Sequence, residues 1–414
     1  MAKPKWLRSS RKSWEKIGYI KLATVWIRRN GYSDDFVERM RDHIRSTVQV
    51  PYSSQFEQWL ASNGLPKAQE TGEIPSGHET INTQLQYWWA FNTINQTGWL
   101  SHDAVAEYFQ PFPRKMEVVD ESFGLTELGH TLLLGFIPRD EVAALEGKAI
   151  STLSPLVLTQ MQKVFFIHAI LKVDGDFMIP LLEQWVDKFG TATFTYLAAG
   201  NLMPIALDNM ASHFNSSVVS SDDQQEMSEI ARLSNLIAKQ AEVKIETQGS
   251  GSRREQISIP RLEWLVDLGL LIKEDRRSYR FTKQGLILAK ELTTYYRSLL
   301  SQHYPEDCLS KLIDQHLFGP VMEFLCGHAE KAGAPDGLNL LKDAHENLKG
   351  SLGYVLLRSL LLLINGRQAE TEIPCFIEYD DALQIVEAEY RDHPKSVYYT
   401  VDRMSNEHQV KFSL

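Results

Sequence analysis

The chain has few cysteines and no long apolar run, and both features narrow what it can be. Three of its 414 residues are cysteine, and Cys308, Cys326 and Cys375 lie far apart in the sequence. Widely spaced cysteines make no paired metal ligands, and their scarcity is typical of a reducing compartment. The most apolar stretch, residues 353–364, is too short to span a bilayer and contains Arg358. We therefore expect a cytoplasmic protein without a metal site or a membrane partner.

Sequence signatures of catalysis and of cofactor binding are also missing. There is no Gly-Lys-Ser/Thr phosphate loop, no Gly-x-Gly-x-x-Gly motif and no Gly-x-Ser-x-Gly motif. Asp223 and residues 242–244 have the spacing of a carboxylate and lysine nuclease site, but the segment between them has a helical pattern. Asp174 and Asp176 could bind Mg²⁺, although a solvated turn between two helices explains them better. We predict a protein that is not an enzyme and needs no cofactor.

Charge is distributed unevenly along the chain, which carries a formal net charge of −10 at pH 7. Residues 1–50 contain 12 basic and 5 acidic side chains, and residues 251–300 contain 10 basic and 6 acidic side chains. The rest of the chain is acidic. Such a protein is not a general nucleic-acid coat, but its two basic segments could contact phosphates locally.

Residues 257–292 have the pattern of a helix, a charged hairpin and a second helix. Ser258 suits an N-cap and Pro260 suits the first turn of the first helix. Apolar residues recur at helical spacing after Pro260. Gly269 suits the helix end, because glycine tolerates the left-handed backbone that follows many helices.

The hairpin and the second helix follow at once. Residues 270–273 and 278–281 have the composition of short strands around a charged tip. Thr282 suits the N-cap of a helix that starts near Lys283. Helix, Gly-Leu-Leu, charged hairpin and Thr-x-x-Gly helix together resemble a winged helix-turn-helix over about forty residues. The resemblance implies a small α+β module that binds DNA or protein.

The same signature occurs twice. Residues 122–129 align with residues 278–285, with Ser, Thr and Gly identical and the apolar positions similar. Leu132 and Leu288 then match as well. Internal repetition is a stronger indication than a single motif, so the sequence predicts tandem winged helices. The alternative is two unrelated hairpins, each followed by a helix.

The pattern as a whole predicts a mainly α protein with small β-hairpins, an α+β fold in which tandem winged helices are joined by helical linker segments. A third helix–helix–hairpin order occurs near the end of the sequence, with helices over 354–364 and 380–391 and strands over 397–401 and 410–414. The predicted segments are a basic N-terminal helical arm (1–79), a first winged helix (80–137), a helical region with an insertion (138–256), a second winged helix (257–300), a helical linker (301–350) and a candidate third winged helix (351–414).

The first thirty residues interleave basic and aromatic side chains. One interpretation is an arm that contacts DNA phosphates, with aromatic side chains for stacking. Its candidate contacts are Lys3, Lys5, Arg8, Arg11 and Lys12. The alternative, for residues 14–29, is a helix whose apolar side packs inward and whose charges are solvated. Residues 1–12 hold few apolar side chains, so we expect the fold to survive their deletion.

The predicted helix of residues 260–268 is the one that winged helices place in the major groove. With its apolar positions facing inward, it would present outward Arg261, Glu263, Trp264 and Asp267. Carboxylates are repelled by phosphates, so Arg261 is the strong candidate for a base contact. The hairpin suits sequence-neutral phosphate contact through Arg276, Arg277, Arg280 and Lys283.

Two functional hypotheses follow from these surfaces. The first is a non-enzymatic subunit of a bacterial complex that binds duplex DNA non-specifically through the arm and the hairpin. The second is an interaction scaffold whose winged helices bind a protein partner, which suits the acidic candidate helices. In this second form the chain is similar to the kite-type or kleisin subunits of bacterial SMC ATPases. That resemblance implies a large ATPase as partner and a role such as anti-plasmid or antiviral defence.

Overall fold

The computed structural model describes residues 4–7, 17–30, 114–120, 125–145, 157–214, 221–242, 253–275, 277–350, 353–401 and 407–413. The chain divides into two compact units, of which the larger contains Met1–Lys12 and Thr159–Leu414 and the smaller contains Ser13–Leu158. The predicted arm of residues 1–79 is therefore divided between the two units. The predicted helix at residues 102–109 lies outside the described residues.

The described part of the smaller unit is helical, with one isolated β-bridge. Its elements are α1 (Tyr19–Asn30), α2 (Glu127–Thr131), a π-helix (Leu132–Phe136) and α3 (Arg139–Leu145). Ile20 and Trp26 of α1 are buried, whereas Arg28 and Arg29 are exposed. This part of the N-terminal segment is therefore a packed helix, as the alternative interpretation predicted, with Arg28 and Arg29 solvated. Lys21 departs from that interpretation, because it is buried and ion-paired with Glu141.

The larger unit contains nineteen of the named elements of the described chain, namely eleven helices and eight strands in three small sheets. Its helices before the first hairpin are α4 (Gln160–Phe189), α5 (Tyr196–Gly200), α6 (Met203–Phe214), α7 (Ser221–Glu242) and α8 (Arg253–Leu268). Its later helices are α9 (Lys283–Leu300), α10 (Pro305–Gln315), α11 (Phe318–Cys326), α12 (Ala334–Leu348), α13 (Leu357–Gln368) and α14 (Tyr379–Asp392). The strands are β1 (Phe194–Thr195), β2 (Leu271–Lys273), β3 (Ser278–Phe281), β4 (Glu330–Lys331), β5 (Val355–Leu356), β6 (Cys375–Phe376), β7 (Val397–Val401) and β8 (His408–Phe412). The predicted fold class, mainly α with small β-hairpins, is confirmed.

Helix α4 is the central element of the larger unit. It packs against α6, α9, α10 and α13, so most of its circumference is buried. Thr159 caps it by accepting from the backbone N–H of Gln162. The turn predicted at residues 174–176 is wrong, because these residues lie inside α4. Their carboxylates bond within the core and need no solvent, and a side chain at Gly175 would meet Leu309.

Helix α8 starts earlier than the sequence predicted. It begins at Arg253, so Pro260 lies inside the helix and not in its first turn, and Ser258 is not its N-cap. Ser258 and Pro260 are both buried, as is Ile257 one turn before Arg261. The burial of these residues in the folded protein therefore outweighs the tendency of proline to lie in the first turn of a helix.

The two predicted hairpins of the larger unit are confirmed, and each belongs to a three-stranded antiparallel sheet. The strand orders are β1-β3-β2 and β5-β8-β7, so the second strand of each hairpin is central and a short earlier strand pairs with it. In the first sheet Leu271 pairs with Phe281, and in the second Val397 pairs with Phe412. The two sheets thus share one connectivity. The hairpin strands of the second sheet are each five residues long.

The Thr-x-x-Gly turn after the β2–β3 hairpin has five local features. Thr282 accepts a hydrogen bond from the N–H of Gly285 at 2.8 Å and donates its hydroxyl to the carbonyl of Gly269 at 3.0 Å. Its own N–H bonds to the carbonyl of Leu270 at 2.9 Å. Gly269 has a φ of 87°, and a Cβ at Gly285 would lie 2.2 Å from the Leu270 carbonyl oxygen.

The predicted first copy has the same five features. Thr126 accepts from the N–H of Gly129 at 3.1 Å, donates to the carbonyl of Glu117 at 2.6 Å, and bonds through its N–H to Val118 at 3.1 Å. Glu117 has a φ of 56°, and a Cβ at Gly129 would lie 2.2 Å from the Val118 oxygen. The bridge between Val119 and Leu125 corresponds to the Leu271–Phe281 pair. The repeated sequence signature therefore encodes a repeated local structure.

Because a Cβ at Gly129 or Gly285 would lie so close to a carbonyl oxygen, we predict that replacing either glycine destabilises the protein. We expect Gly285→Ala and Gly129→Ala each to lower the free energy of unfolding by roughly 2–3 kcal/mol, because the added methyl group forces a carbonyl to move. Gly350 is the matched control, since its Cβ would meet no atom within 4 Å. Gly350→Ala should change stability by less than about 0.5 kcal/mol. Urea unfolding of the three variants makes the comparison, and a Gly285→Ala protein as stable as Gly350→Ala would contradict the geometry.

Candidate functional site

The candidate DNA-reading helix α8 is enclosed by its own unit. It contacts α5, α7, α4 and β2. Arg261 and Trp264 are 0% exposed and Glu263 is 2% exposed. The prediction that these side chains face outward is wrong, and Arg261 has no surface with which to contact a base. The physical reason is that polar partners from distant parts of the chain meet α8 on the side that the helical pattern assigned to solvent.

The partner of Arg261 is Asp174 at the centre of α4. The guanidinium donates through Nε to Oδ2 and through Nη2 to Oδ1, both at 2.7 Å, in a two-pronged ion pair. Nη1 donates to the carbonyl of Ile257 at 2.9 Å, and the guanidinium stacks 4.7 Å from the centre of the Phe177 ring. Both side chains of the ion pair are 0% exposed. A buried pair of this kind is tolerated because its hydrogen bonds are nearly all made within the protein.

Residues 4–7 fill the space beside this ion pair. The N–H of Leu7 donates to Asp174 at 2.7 Å, and the Leu7 carbonyl accepts from Nη2 of Arg261 at 3.0 Å. The N–H of Lys5 donates to Asp176 at 2.7 Å, and the backbone N–H of Asp176 donates back to the Lys5 carbonyl at 3.1 Å. The main chain of the N-terminal segment is therefore recognised by carboxylates of α4.

Trp6 anchors the same segment with its side chain. It is 8% exposed, its ring packs edge-on against Phe177 with centres 6.4 Å apart, and its indole N–H donates to Glu226 of α7. Leu7 is 4% exposed. The expectation that residues 1–12 can be deleted without loss of the fold is wrong, because these two side chains belong to the core.

Burial perturbs the carboxyl groups that hold the segment. Burial raises the pKa of Asp176 to about 6, while the hydrogen bonds from Lys5 and from Tyr296 oppose that rise. The Tyr296 hydroxyl donates to Asp176 at 2.8 Å, and burial together with this carboxylate raises the pKa of Tyr296. Burial also raises the pKa of Asp174, against the attraction of Arg261. At neutral pH Asp176 is therefore ionised only with the help of its donors.

The other predicted contacts are distributed between surface, hairpin and undescribed residues. Lys5 presents an exposed side chain although its main chain is docked. Arg277 and Lys283 are exposed. Arg280 is half-buried, and its Nε lies 2.6 Å from Glu274. The remaining predicted contacts lie outside the described residues; they are Lys3, Arg8, Arg11, Lys12 and Arg276.

Two cations of the β2–β3 hairpin have anionic partners. Arg280 donates to Glu274, which also accepts from the Thr193 hydroxyl at 2.8 Å. Lys273 donates to buried Glu263 of α8, which also accepts from the Tyr279 hydroxyl, each at 2.6 Å. The hairpin is thus less basic than its sequence indicated, because Lys273 and Arg280 are already ion-paired.

A small cleft lies between α4, α6 and α9. Its volume is about 240 Å³, and its lining includes Asn209, His213 and the ion pair between Glu183 and Arg297. Small-molecule sites are usually larger, at roughly 300–1,000 Å³.

In the described residues, no three His, Cys, Asp or Glu side chains are grouped so that they could hold a metal ion. Among the same residues, no helix combines the length and the apolar composition that crossing a membrane requires.

Sequence reasoning missed the residues that hold the N-terminal segment, namely Asp174, Asp176, Glu226, Trp6 and Leu7. The two aspartates interrupt an apolar pattern that resumes on both sides, and this continuity was the available signal for one long helix. No local signal identifies their hydrogen-bond partners, which lie 87 to 171 residues away along the chain.

Docking of residues 4–7 predicts a sharp difference between neighbouring side chains. We expect Trp6→Ala to lower the free energy of unfolding by about 3 kcal/mol or more, since it removes a buried aromatic ring and leaves Glu226 without its indole donor. Lys5→Ala should stay within about 0.5 kcal/mol of wild type, because that side chain is exposed. Urea unfolding followed by circular dichroism measures both. Equal, small effects would show that the segment is a free arm.

Comparison with known proteins adds no relative to this picture. No protein family model, curated protein or solved structure matches the chain. The function is therefore inferred from the chain's own residues.

Proposed function

We propose that the protein is a non-enzymatic interaction scaffold whose winged-helix-like modules bind another protein. The observation that carries this proposal is the enclosure of α8. All sixteen residues of this helix are described, and Arg253 is the one exposed side chain among them. A helix without an open face cannot enter the major groove, which is the usual way in which such modules read DNA.

The charge of the chain supports a protein partner over a polyanion. The net charge is −10, so long-range attraction to DNA is weak outside the basic segments. The module around the β2–β3 hairpin also exposes apolar side chains, with Ile272 at 42% and Ile287 at 40%. The resemblance to kite-type subunits names a large ATPase as the partner class, and this remains part of the proposal.

A second candidate is sequence-neutral contact with duplex DNA through the β2–β3 hairpin. The observation that favours it is the exposure of Arg277 and Lys283 on one module. Against it, Glu274 and Asp275 are exposed at the same tip. Phosphate contacts are the usual source of non-specific affinity, so this candidate has a measurable salt signature.

Charge reversal in the hairpin distinguishes the two candidates. The variant is Arg277→Glu, Arg280→Glu and Lys283→Glu together, and its duplex affinity is measured at two salt concentrations. If the protein is a scaffold, the wild-type chain and the triple variant should bind duplex DNA equally weakly, with affinities within about twofold of each other. Three lost phosphate contacts would instead lower the slope of log affinity against log salt by about 2.7.

The matched control reverses three exposed charges elsewhere, at Arg232, Lys239 and Lys349. Thermal unfolding checks that both triple variants are folded. Loss of duplex affinity by tenfold or more in the hairpin variant but not in the control would overturn the scaffold proposal in favour of DNA binding.

Purification of the tagged chain together with the untagged products of neighbouring genes supplies the positive test. We expect a stoichiometric complex that contains a large ATPase and that survives the hairpin charge reversal. A chain that purifies alone and shifts duplex DNA would contradict the proposal.

A further inference from the structure

Among the described residues, strand β7 lies at the edge of its sheet and has no strand on its outer side. In the order β5-β8-β7 it pairs on one side only, with β8, over its full length of five residues. Its sequence is Val-Tyr-Tyr-Thr-Val, without a charged residue or a proline. Natural edge strands are usually protected by charge, proline or shortness, and β7 has none of these protections.

The register identifies which backbone groups face outward. Ser413 donates through its N–H to the Ser396 carbonyl at 2.8 Å, so these two residues form a hydrogen-bonded pair. Such pairs alternate along an antiparallel ladder. The N–H and C=O groups of Val397, Tyr399 and Val401 therefore point away from β8 to the open edge.

The side chains at this edge are also exposed. Tyr398 is 43% exposed and Val401 is 44% exposed. Tyr390 of α14 is 41% exposed and packs edge-on against Tyr399 with ring centres 5.3 Å apart. Aromatic and β-branched side chains are typical of strands that are paired with neighbours. The exposed side chains at the β7 edge have this composition.

The other hairpin provides a contrast within the same chain. Its edge strand β2 has three residues and includes Lys273, which is ion-paired with Glu263. A short strand that carries a charge resists the addition of another strand. The two sheets share a connectivity, but only β7 is built as an uncharged edge of five residues among the described hairpins.

The edge is complementary to itself. In an antiparallel pair with a two-fold axis at Tyr399, each Tyr398 faces Thr400 of the other copy, and both side chains are exposed. An aromatic side chain facing a β-branched one is a favourable cross-strand pair. The outward groups of three residues on each strand would form about six hydrogen bonds.

We propose that β7 is a homodimer interface, at which two copies of the chain join their edges into one continuous six-stranded sheet. The interface is isologous, since the same strand serves both copies. This inference does not depend on the nature of the scaffold's other partner, because the β7 edge and the β2–β3 hairpin belong to different sheets.

A charge-swap experiment tests both the interface and its register. One variant carries Tyr398→Lys and Thr400→Lys, and the other carries Tyr398→Glu and Thr400→Glu; both positions are exposed, so folding should be retained. Each variant alone places like charges opposite each other, and the dimer dissociation constant should rise about 100-fold. The two variants mixed should form a heterodimer, because every Lys then faces a Glu.

Sedimentation velocity over a concentration series up to about 100 µM measures these states, and circular dichroism verifies the fold. Ile272→Lys is the control on the other edge strand, and it should dimerise like wild type. The proposal is overturned if the wild-type chain is a monomer throughout, which would leave the edge to a strand of another protein. It is also overturned if the single variants dimerise normally, or if the mixture forms no heterodimer.

Discussion

The buried ion pair between Arg261 and Asp174 is the constraint on which the larger unit depends. It joins the centre of α4 to the middle of α8, and both charges are fully removed from solvent. Removing one partner from such a pair leaves an uncompensated charge in the core, which typically costs about 3–5 kcal/mol. The pair is completed by the main chain of Leu7, which satisfies one remaining donor and one remaining acceptor. The ion pair is therefore complete only when the N-terminal segment, α4 and α8 come together.

This arrangement also determines which surfaces remain for function. Because α8 is committed to the core, the module offers no free helix of the kind that a winged helix places in the major groove. Because Trp6 and Leu7 are core residues, the basic N-terminal segment is attached where it was expected to be free. The surface of the described residues includes a hairpin with two ion-paired cations, scattered apolar side chains and an uncharged sheet edge at β7. These are features of protein–protein contact more than of groove recognition.

The parts of the fold that could be predicted are those with local causes. Thr282 and Gly285 identify a helix start because a threonine cap and a close carbonyl contact need only neighbouring residues. The same signature at Thr126 and Gly129 correctly identifies the first copy of this turn. The hairpins follow from alternation and turn residues for the same reason.

The parts that could not be predicted have distant causes. Arg261 looked like a surface residue because arginine on a helix is usually solvated. Its burial depends on Asp174, 87 residues away, and on Leu7, 254 residues away. Asp174 and Asp176 looked like a turn for the same reason, since isolated acids rarely lie inside a core helix. Pairing between distant charges leaves no periodic trace in the sequence.

A double-mutant cycle on the ion pair tests the central claim most directly. The variants are Arg261→Met, Asp174→Leu and the double variant, with the free energy of unfolding measured in urea. We predict that each single variant loses about 3–5 kcal/mol and that the double variant loses far less than their sum, because it leaves no buried unpaired charge. Single losses that add to within about 0.5 kcal/mol in the double variant would contradict this account.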